Sequence, residues 1–324
     1  MSVQTLNPPA PAATPAPAPR TTAAVELRNV SHWYGNVVAV NDVSFSLGPG
    51  ITGLLGPNGA GKSTLLHMLA GFLAPSAGEV LVDGRPAWKN PAMYRSLGLV
   101  PEREAVYPFL TAYEFALMNA RLHGLPHPEE AAERAIDIVD LRAAMHRKIG
   151  GYSKGMRQRA KIAGALVHEP RILLLDEPFN GMDPGQRMHM MELLNDLAEQ
   201  GKTILISTHI LEELHHLANN VLVVVAGRLA ASGHFREIRK LMTDRPHTFT
   251  LRSSDNRKLA SVLMADPSVK GVELGELGIT LHTGERVGFA QHLPRAARDA
   301  GITLYEVRPT DESLESVFSY LVKR

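Results

Sequence analysis

Gly56 to Ser63 reads GPNGAGKS: a glycine, four residues, then Gly-Lys-Ser. These residue types at this spacing suit a phosphate. Glycines let the backbone curl until successive N–H groups point inward at anionic oxygens, at the positive end of a following helix. In such a loop Gly56, Pro57, Asn58, Gly59, Ala60 and Gly61 form the cradle, Lys62 reaches the β- and γ-phosphates of a nucleotide, and the Ser63 hydroxyl binds Mg2+. A glycine turn with an incidental lysine would carry the same letters, so the flanks decide. The apolar run Ile51 to Leu55 precedes the loop as a buried strand, and Thr64 to Ala70 follows in a helical pattern stopped by Gly71. A second pair of chemically able residues, Asp176 and Glu177, ends the run Arg171-Ile172-Leu173-Leu174-Leu175, and His209 ends the run Thr203 to Thr208.

The elements that must position these groups follow from pattern. Four consecutive aliphatic residues before Asp176 predict a strand covered on both faces of a parallel sheet, with the carboxylates at its C-terminal end, where open α/β sheets bind ligands. A helix about Gln186 to Gln200 and strands at Thr203 to Thr208 and Val221 to Ala226 continue the sheet. Ahead of the glycine loop, alternation in Val25 to Val30, Val38 to Val40 and Val43 to Leu47 predicts a small antiparallel sheet, with His32, Trp33 and Tyr34 between its strands. An aromatic ring there either stacks on a purine or packs on the core; both readings stand at this point. Short strands are predicted at Glu79 to Asp83 and Leu97 to Val100, the second ending in a polar loop at Glu102. Helices over Thr111 to His123 and Glu129 to Leu141, then one from Arg157 to Val167, insert a helical layer.

The 324 residues suffice for one large and one small domain. A formal net charge of +1 predicts no nucleic-acid partner, and the chain has no cysteine for disulfides, thiolate metal sites or a thiol nucleophile. No run approaches the ~18 apolar residues of a spanning helix. Residues 1–24 are rich in Pro and Ala and predict a disordered or polyproline-like extension. Met188, Met190 and Met191 with His189, and His209 with His215 and His216, match no dependable metal spacing; core methionines are the better reading of the first group. Beyond residue 244 the order β-α-β-β-α-β predicts a ferredoxin-like unit over 245–324, closed by a helix with Thr310 as cap and Leu314, Val317, Phe318 and Leu321 as its apolar stripe.

Tyr34, the Gly56 to Thr64 loop, Glu102, Tyr152-Ser153-Lys154-Gly155-Met156, the aliphatic run ending in Asp176-Glu177-Pro178, Gly181-Met182-Asp183-Pro184 and His209 follow one another in a telling order. In these motifs residues 25–244 closely resemble the nucleotide-binding subunit of an ATP-binding cassette (ABC) transporter. The resemblance implies an α/β fold: a phosphate-loop ATPase domain with a mixed sheet core, an antiparallel β subdomain and a helical subdomain. It implies ATP and Mg2+ as ligands, with Tyr34 and Gly56 to Thr64 on the nucleotide and Lys62, Glu177 and His209 as the catalytic set. Asp176 would hold Mg2+ through water with Ser63, Glu177 would be the general base, and His209 would contact the γ-phosphate. Glu102 stands where the family usually has Gln; it can accept from water or approach Mg2+ but cannot donate as an amide does. Ser153 and Gly155 match the centre of the family signature, which faces the ATP held by a second copy, and Asp183 would lie across that interface. Lys154, Met156 and Tyr152 depart from the usual Gly, Gln and Leu in a way familiar from export-type ATPases. The resemblance thus implies a homodimer, an integral membrane permease as partner, contacted through Val106 to Leu117, and a place on the cytoplasmic face of the cell membrane. A soluble ABC ATPase of DNA repair or translation is the alternative; the long coiled-coil insertion or second cassette usual there is not seen.

Overall fold

Strict two-residue alternation in three aliphatic strands builds the centre of the protein. The computed structural model describes residues 23–103, 105–210, 213–214, 217–218, 220–234, 247–275 and 278–309. In β3 (Gly50–Leu55), Ile51 and Leu55 enter one core while Leu54 enters another. Leu173 and Leu175 against Ile172 and Leu174 in β7 (Ile172–Asp176), and Ile204 and Ile206 against Leu205 in β8 (Thr203–Thr208), divide in the same way. The sheet they form is therefore covered on both faces, as a continuous apolar run demands.

Chain order supplies the rest of the two layers. β1 (Val25–Tyr34), β2 (Val37–Leu47), β4 (Ala77–Val82) and β5 (Arg85–Pro86) make an antiparallel sheet in the order β2-β1-β4-β5. β6 (Leu97–Val100), β9 (Asn220–Val225) and β10 (Arg228–His234) complete the central sheet in the order β10-β9-β3-β8-β7-β6, parallel throughout except where β10 pairs with β9. Helix α1 (Lys62–Leu69) follows β3; α2 (Ala112–Leu122), α3 (Pro128–Ile138) and α4 (Lys154–Leu166) form the helical layer; α5 (Pro184–Glu199) links β7 to β8. Thr111 caps α2 in a reciprocal pair with Glu114, and Pro128 begins α3 with Glu129 and Glu130 in its first turn.

Three sequence expectations change. His32, Trp33 and Tyr34 do not lie between strands: β1 runs on to Tyr34, each of the three pairing across to β2, and the turn is Gly35-Asn36 alone. β5 and β10 are additions to the expected strands; β10 is an edge strand of alternating small and polar residues that returns through Ala226-Gly227, both at positive φ. Of the methionines on α5, Met190 is buried but Met188 is 63% exposed, so only part of that group is core.

Residues 247–309 form their own core. β11 (His247–Ser253), α6 (Asn256–Met264), β12 (Val269–Leu274), β13 (Ile279–Thr283), α7 (Arg286–Asp299) and β14 (Leu304–Pro309) give the sheet order β12-β13-β11-β14, all antiparallel, the arrangement expected of a split β-α-β unit. Phe249, Leu251, Leu259, Phe289 and Leu293 fill it. The final helix expected from Thr310, and the extension of residues 1–22, lie outside the described residues.

One half-buried histidine makes the helical layer acid-sensitive. His168, just after α4, hydrogen-bonds the Leu97 carbonyl at 3.1 Å through Nε2 and stacks on His123 with ring centroids 3.8 Å apart. Burial, and then the neighbouring His123, push its pKa from 6.5 down to about 4. The unfolded chain takes up this proton at a higher pH than the folded one, so the stability His168 contributes is complete above about pH 6.5 and falls as pH drops toward about 4. Urea midpoints measured from neutral to acid pH should fall more steeply in the wild type than in His168→Gln; equal slopes would show that another group sets the acid sensitivity.

Candidate functional site

Parallel register brings the separate motifs together. Leu55 pairs with Thr208 and Asp176 with Ser207, so Gly56, Glu177 and His209 each sit one residue beyond adjacent strand ends. At this edge of the sheet a cleft of about 460 Å3 is lined by Asn58, Gly59, Gly61, Lys62, Ser63, Thr64, Glu102, Asp176, Glu177 and His209, joined by Ala39 and Asn180.

The glycine loop owes its shape to positions where a side chain cannot stand. Gly61 has φ +103°, and a Cβ there would lie 2.5 Å from the Ala39 carbonyl oxygen. As the cap of α1 it brings no side chain, so the first-turn N–H groups of Lys62, Ser63 and Thr64 keep no intrahelical acceptor at a helix start that lines the cleft. Lys62 is buried, and its Nζ donates to the carbonyls of Gly56 at 2.7 Å and Pro57 at 3.3 Å while lying 4.0 Å from Glu177 Oε1. Burial holds the ammonium pKa below its ordinary value, opposed by the charges of Glu177, Asp176 and Glu102. A phosphate entering the cleft would supply the anionic contacts that burial withholds.

Glu177 is held from several sides. Its φ is +47°, a region costly for a residue with a side chain, of order 1 kcal/mol or more. Its N–H donates to the Ser207 carbonyl at 3.0 Å, and fully buried Phe179 anchors the loop that follows. Its Oε1 lies 2.9 Å from Nδ1 of His209, whose ring is 43% exposed. Ser207 donates to Oδ1 of buried Asp176, which fixes that carboxylate. One hydroxyl, Ser63, and the carboxylates of Asp176 and Glu102 on the same cleft form an all-oxygen donor set, suited to Mg2+ that keeps waters and phosphate oxygens in its shell.

The remaining sequence candidates lie off this cleft. Tyr34 is 51% exposed at the end of β1 and meets His32 edge-on at 4.6 Å, so the core-packing reading fails. Ser153 caps α4 through Met156 N–H, and Asp183 caps α5 through Gln186 N–H. Gln186 also reaches Ser153 at 3.4 Å, so Ser153 and Asp183 share a neighbourhood distinct from the phosphate loop, and Gly155 is packed against the same Gln186. In the segment Val106 to Leu117, Val106 and Phe115 are buried while Tyr107 and Phe109 are exposed. Beside it a groove of about 550 Å3 runs between β6, α2 and α4, lined by Phe72, Tyr94, Phe115 and Leu122 among others. Sequence reasoning missed Ser207 and Asn180, since each gains its place only from the pairing of β7 with β8 and the turn after Glu177.

Comparison with known proteins agrees with this architecture. A family model described as ABC transporter matches residues 40–180. The bacitracin transport ATP-binding protein BcrA of Bacillus licheniformis is 32% identical over 92% of this chain and 97% of its own length. The Nod factor export ATP-binding protein I of Cupriavidus metallidurans is 36% identical over 67% of this chain and 73% of its own. A solved ATP-binding subunit of an ABC transporter superposes with a TM-score of 0.61 at 30% identity, covering 67% of this chain and 92% of that one. Subunits of this kind are ATPases that work with membrane permeases, and among the described residues no helix is long and apolar enough to cross a membrane. The chain belongs to the ATP-binding subunits of ABC transporters.

Proposed function

We propose that this chain hydrolyses Mg·ATP as the motor of an export complex whose permease is a separate membrane protein. The convergence of Lys62, Glu177 and His209 on one cleft, with Glu177 Oε1 4.0 Å from Nζ and 2.9 Å from Nδ1, carries the reading. Glu177 accepts the proton of the attacking water, His209 orients the Glu177 carboxylate and faces the γ-phosphate, and Lys62 with the first-turn N–H groups of α1 holds the β- and γ-phosphates. Bound Mg2+, held by Ser63 and by Asp176 through water, with Glu102 close by, would neutralise phosphate charge. Ser153 and Gly155, at the start of α4, serve the nucleotide of a second copy, and Asp183 lies across that interface, so closure of a homodimer completes each site. The export assignment rests on the bacitracin transport and Nod factor export relatives.

The working unit comprises residues 25–244 as the ATPase and 245–324 as an accessory domain, and it sits on the cytoplasmic face of the membrane. The permease's cytoplasmic helices dock in the groove beside α2, next to the exposed Tyr107 and Phe109. Isolation from detergent-solubilised membranes tests the transport reading: an integral membrane protein should accompany an active ATPase. Recovery of the active ATPase with nucleic acid or ribosomes instead would favour the soluble alternative.

The exposed Tyr34 ring is the base platform. Tyr34→Ala should weaken Mg·ATP binding by about 1–3 kcal/mol, roughly 5- to 150-fold, while Tyr34→Phe keeps it. Equal binding of ATP by wild type and Tyr34→Ala, in a fluorescence titration, would remove the stacking role.

A further inference from the structure

Glu213 follows His209 by four residues and is only 1% exposed, yet it does not line the nucleotide cleft. A carboxylate is almost never fully buried unless paired, so its partners show what the burial serves. Its Oε2 accepts the Thr208 hydroxyl at 2.7 Å, and that hydroxyl oxygen in turn accepts the Ile210 N–H at 3.0 Å. The two bonds grip the chain on both sides of His209. Thr208 is fully buried, ends β8 and pairs with Leu55, the residue before the phosphate loop. The stretch that carries His209 is thereby fixed, and the ring meets Glu177 Oε1 at 2.9 Å.

Arg187 approaches the other oxygen of the same carboxylate. Its guanidinium lies 3.7 Å from Glu213 Oε1, about 1 Å beyond the length of a charge-assisted hydrogen bond. Glu213 Oε1 and Arg187 Nε are both buried without a hydrogen-bond partner among the described residues. Such atoms are rare in folded proteins, and here an acceptor and a donor stand idle in one ion pair. Arg187 sits one turn into α5: its N–H donates to the Asp183 carbonyl at 3.0 Å, and Asp183 caps the helix. A small shift of this turn toward Glu213 would give Oε1 its bond. Burial, above all, raises the Glu213 pKa; the Glu177 charge adds to this, while the Thr208 hydroxyl, Arg187 and His209 oppose it. Glu213 thus lies within electrostatic reach of the hydrolytic pair.

We propose that Glu213 and Arg187 are positioning residues for hydrolysis. Glu213, through Thr208, sets where His209 stands against Glu177, and Arg187 ties that setting to the first turn of α5. Closure of a second copy over Asp183 completes the bond between Arg187 and Glu213 and holds His209 in its working place. This role rests on the ATPase and homodimer reading above and adds to it a route from the interface to the hydrolytic pair. Neither side chain touches the nucleotide; each acts through His209.

Steady-state hydrolysis of Mg·ATP by the full-length chain tests this. Glu213→Gln and Arg187→Gln should each lower kcat at least about tenfold while KM for Mg·ATP stays within about threefold. In a His209→Ala background the same substitutions should cost less than about twofold more, because their effect already runs through His209. Combined with Glu177→Gln, Arg187→Gln should still give the ATP-bound dimer on size-exclusion chromatography, since the arginine acts after the copies meet. The Arg187 side chain is 32% exposed, so its variant decides the matter if Glu213→Gln fails to fold. An unchanged kcat, a loss confined to KM, losses that multiply with that of His209→Ala, or a dimer lost with Arg187→Gln overturns the proposal. A wild type that does not hydrolyse ATP would count instead against the ATPase reading itself.

Discussion

Glu177→Gln should retain Mg·ATP binding but lose hydrolysis by ~10²- to 10⁴-fold, a barrier increase of about 2.7–5.5 kcal/mol. The substitution is close to isosteric, places no new demand on the left-handed backbone at this position, and leaves an amide oxygen to meet His209 Nδ1. Folding stability should therefore be nearly unchanged. What disappears is a carboxylate able to take a proton, beside an ammonium 4.0 Å away and an imidazole at 2.9 Å. With hydrolysis blocked, the ATP-bound pair of chains should persist, so size-exclusion chromatography with ATP should show a dimer that the wild type does not accumulate. Turnover retained in Glu177→Gln would mean that another group positions the water.

The same geometry separates two roles for His209. Its ring is nearly half exposed and hydrogen-bonds the Glu177 carboxylate. If its work is done through that carboxylate, removing both side chains costs little more than removing Glu177 alone, because the two effects overlap. A double variant whose loss equals the product of the single losses would assign His209 an independent contact with phosphate.

How far the sequence carried this reading depended on whether the signal was local. Alternation in β3, β7 and β8 is a property of consecutive residues, and the observed division of Leu173 and Leu175 from Ile172 and Leu174 between two cores is what that run demands. The motif residues from Gly56 to Thr64, with Glu102, Asp176, Glu177 and His209, lie around one sheet edge, while Tyr34, Ser153 and Asp183 are set apart from it. The β-α-β-β-α-β unit was legible because each of its strands keeps a short apolar alternation, as in Phe249 and Leu251 or Ile279 and Leu281. What escaped is non-local. Ser207 matters because strand register places it opposite Asp176, which no spacing along the chain encodes. β10 escaped because Arg228 to His234 has few large apolar residues; its partner β9, rather than its own pattern, makes it a strand. Tyr34 could not be resolved from sequence between core and surface, since a strand that outruns its core exposes the same residue that a turn would bury.

Lys62→Met should abolish Mg·ATP turnover, with a loss of at least ~10²-fold, or about 2.7 kcal/mol, and weaken nucleotide binding, yet leave the nucleotide-free protein as stable as the wild type or more so. The two halves of this expectation have one cause. Lys62 is 7% exposed, and in the free protein its ammonium is compensated by two carbonyls and by Glu177 at the edge of ion-pair distance. Burial outweighs those partners, which is why its pKa lies below the ordinary lysine value. A methionine of similar length would fill the space without a charge to desolvate, and such replacements of buried charges are often neutral or stabilising. The ammonium is thus kept in a poor environment that only a phosphate improves, and its free energy is realised on binding, as preorganised electrostatic sites require. Gly61→Ala provides the contrast: its Cβ would meet the Ala39 carbonyl at 2.5 Å with φ at +103°, so stability and nucleotide binding should fall together. Thermal or urea midpoints measured without nucleotide distinguish the two classes. A large loss of apo stability in Lys62→Met would make Lys62 a structural pin of the loop rather than a phosphate group waiting for its partner.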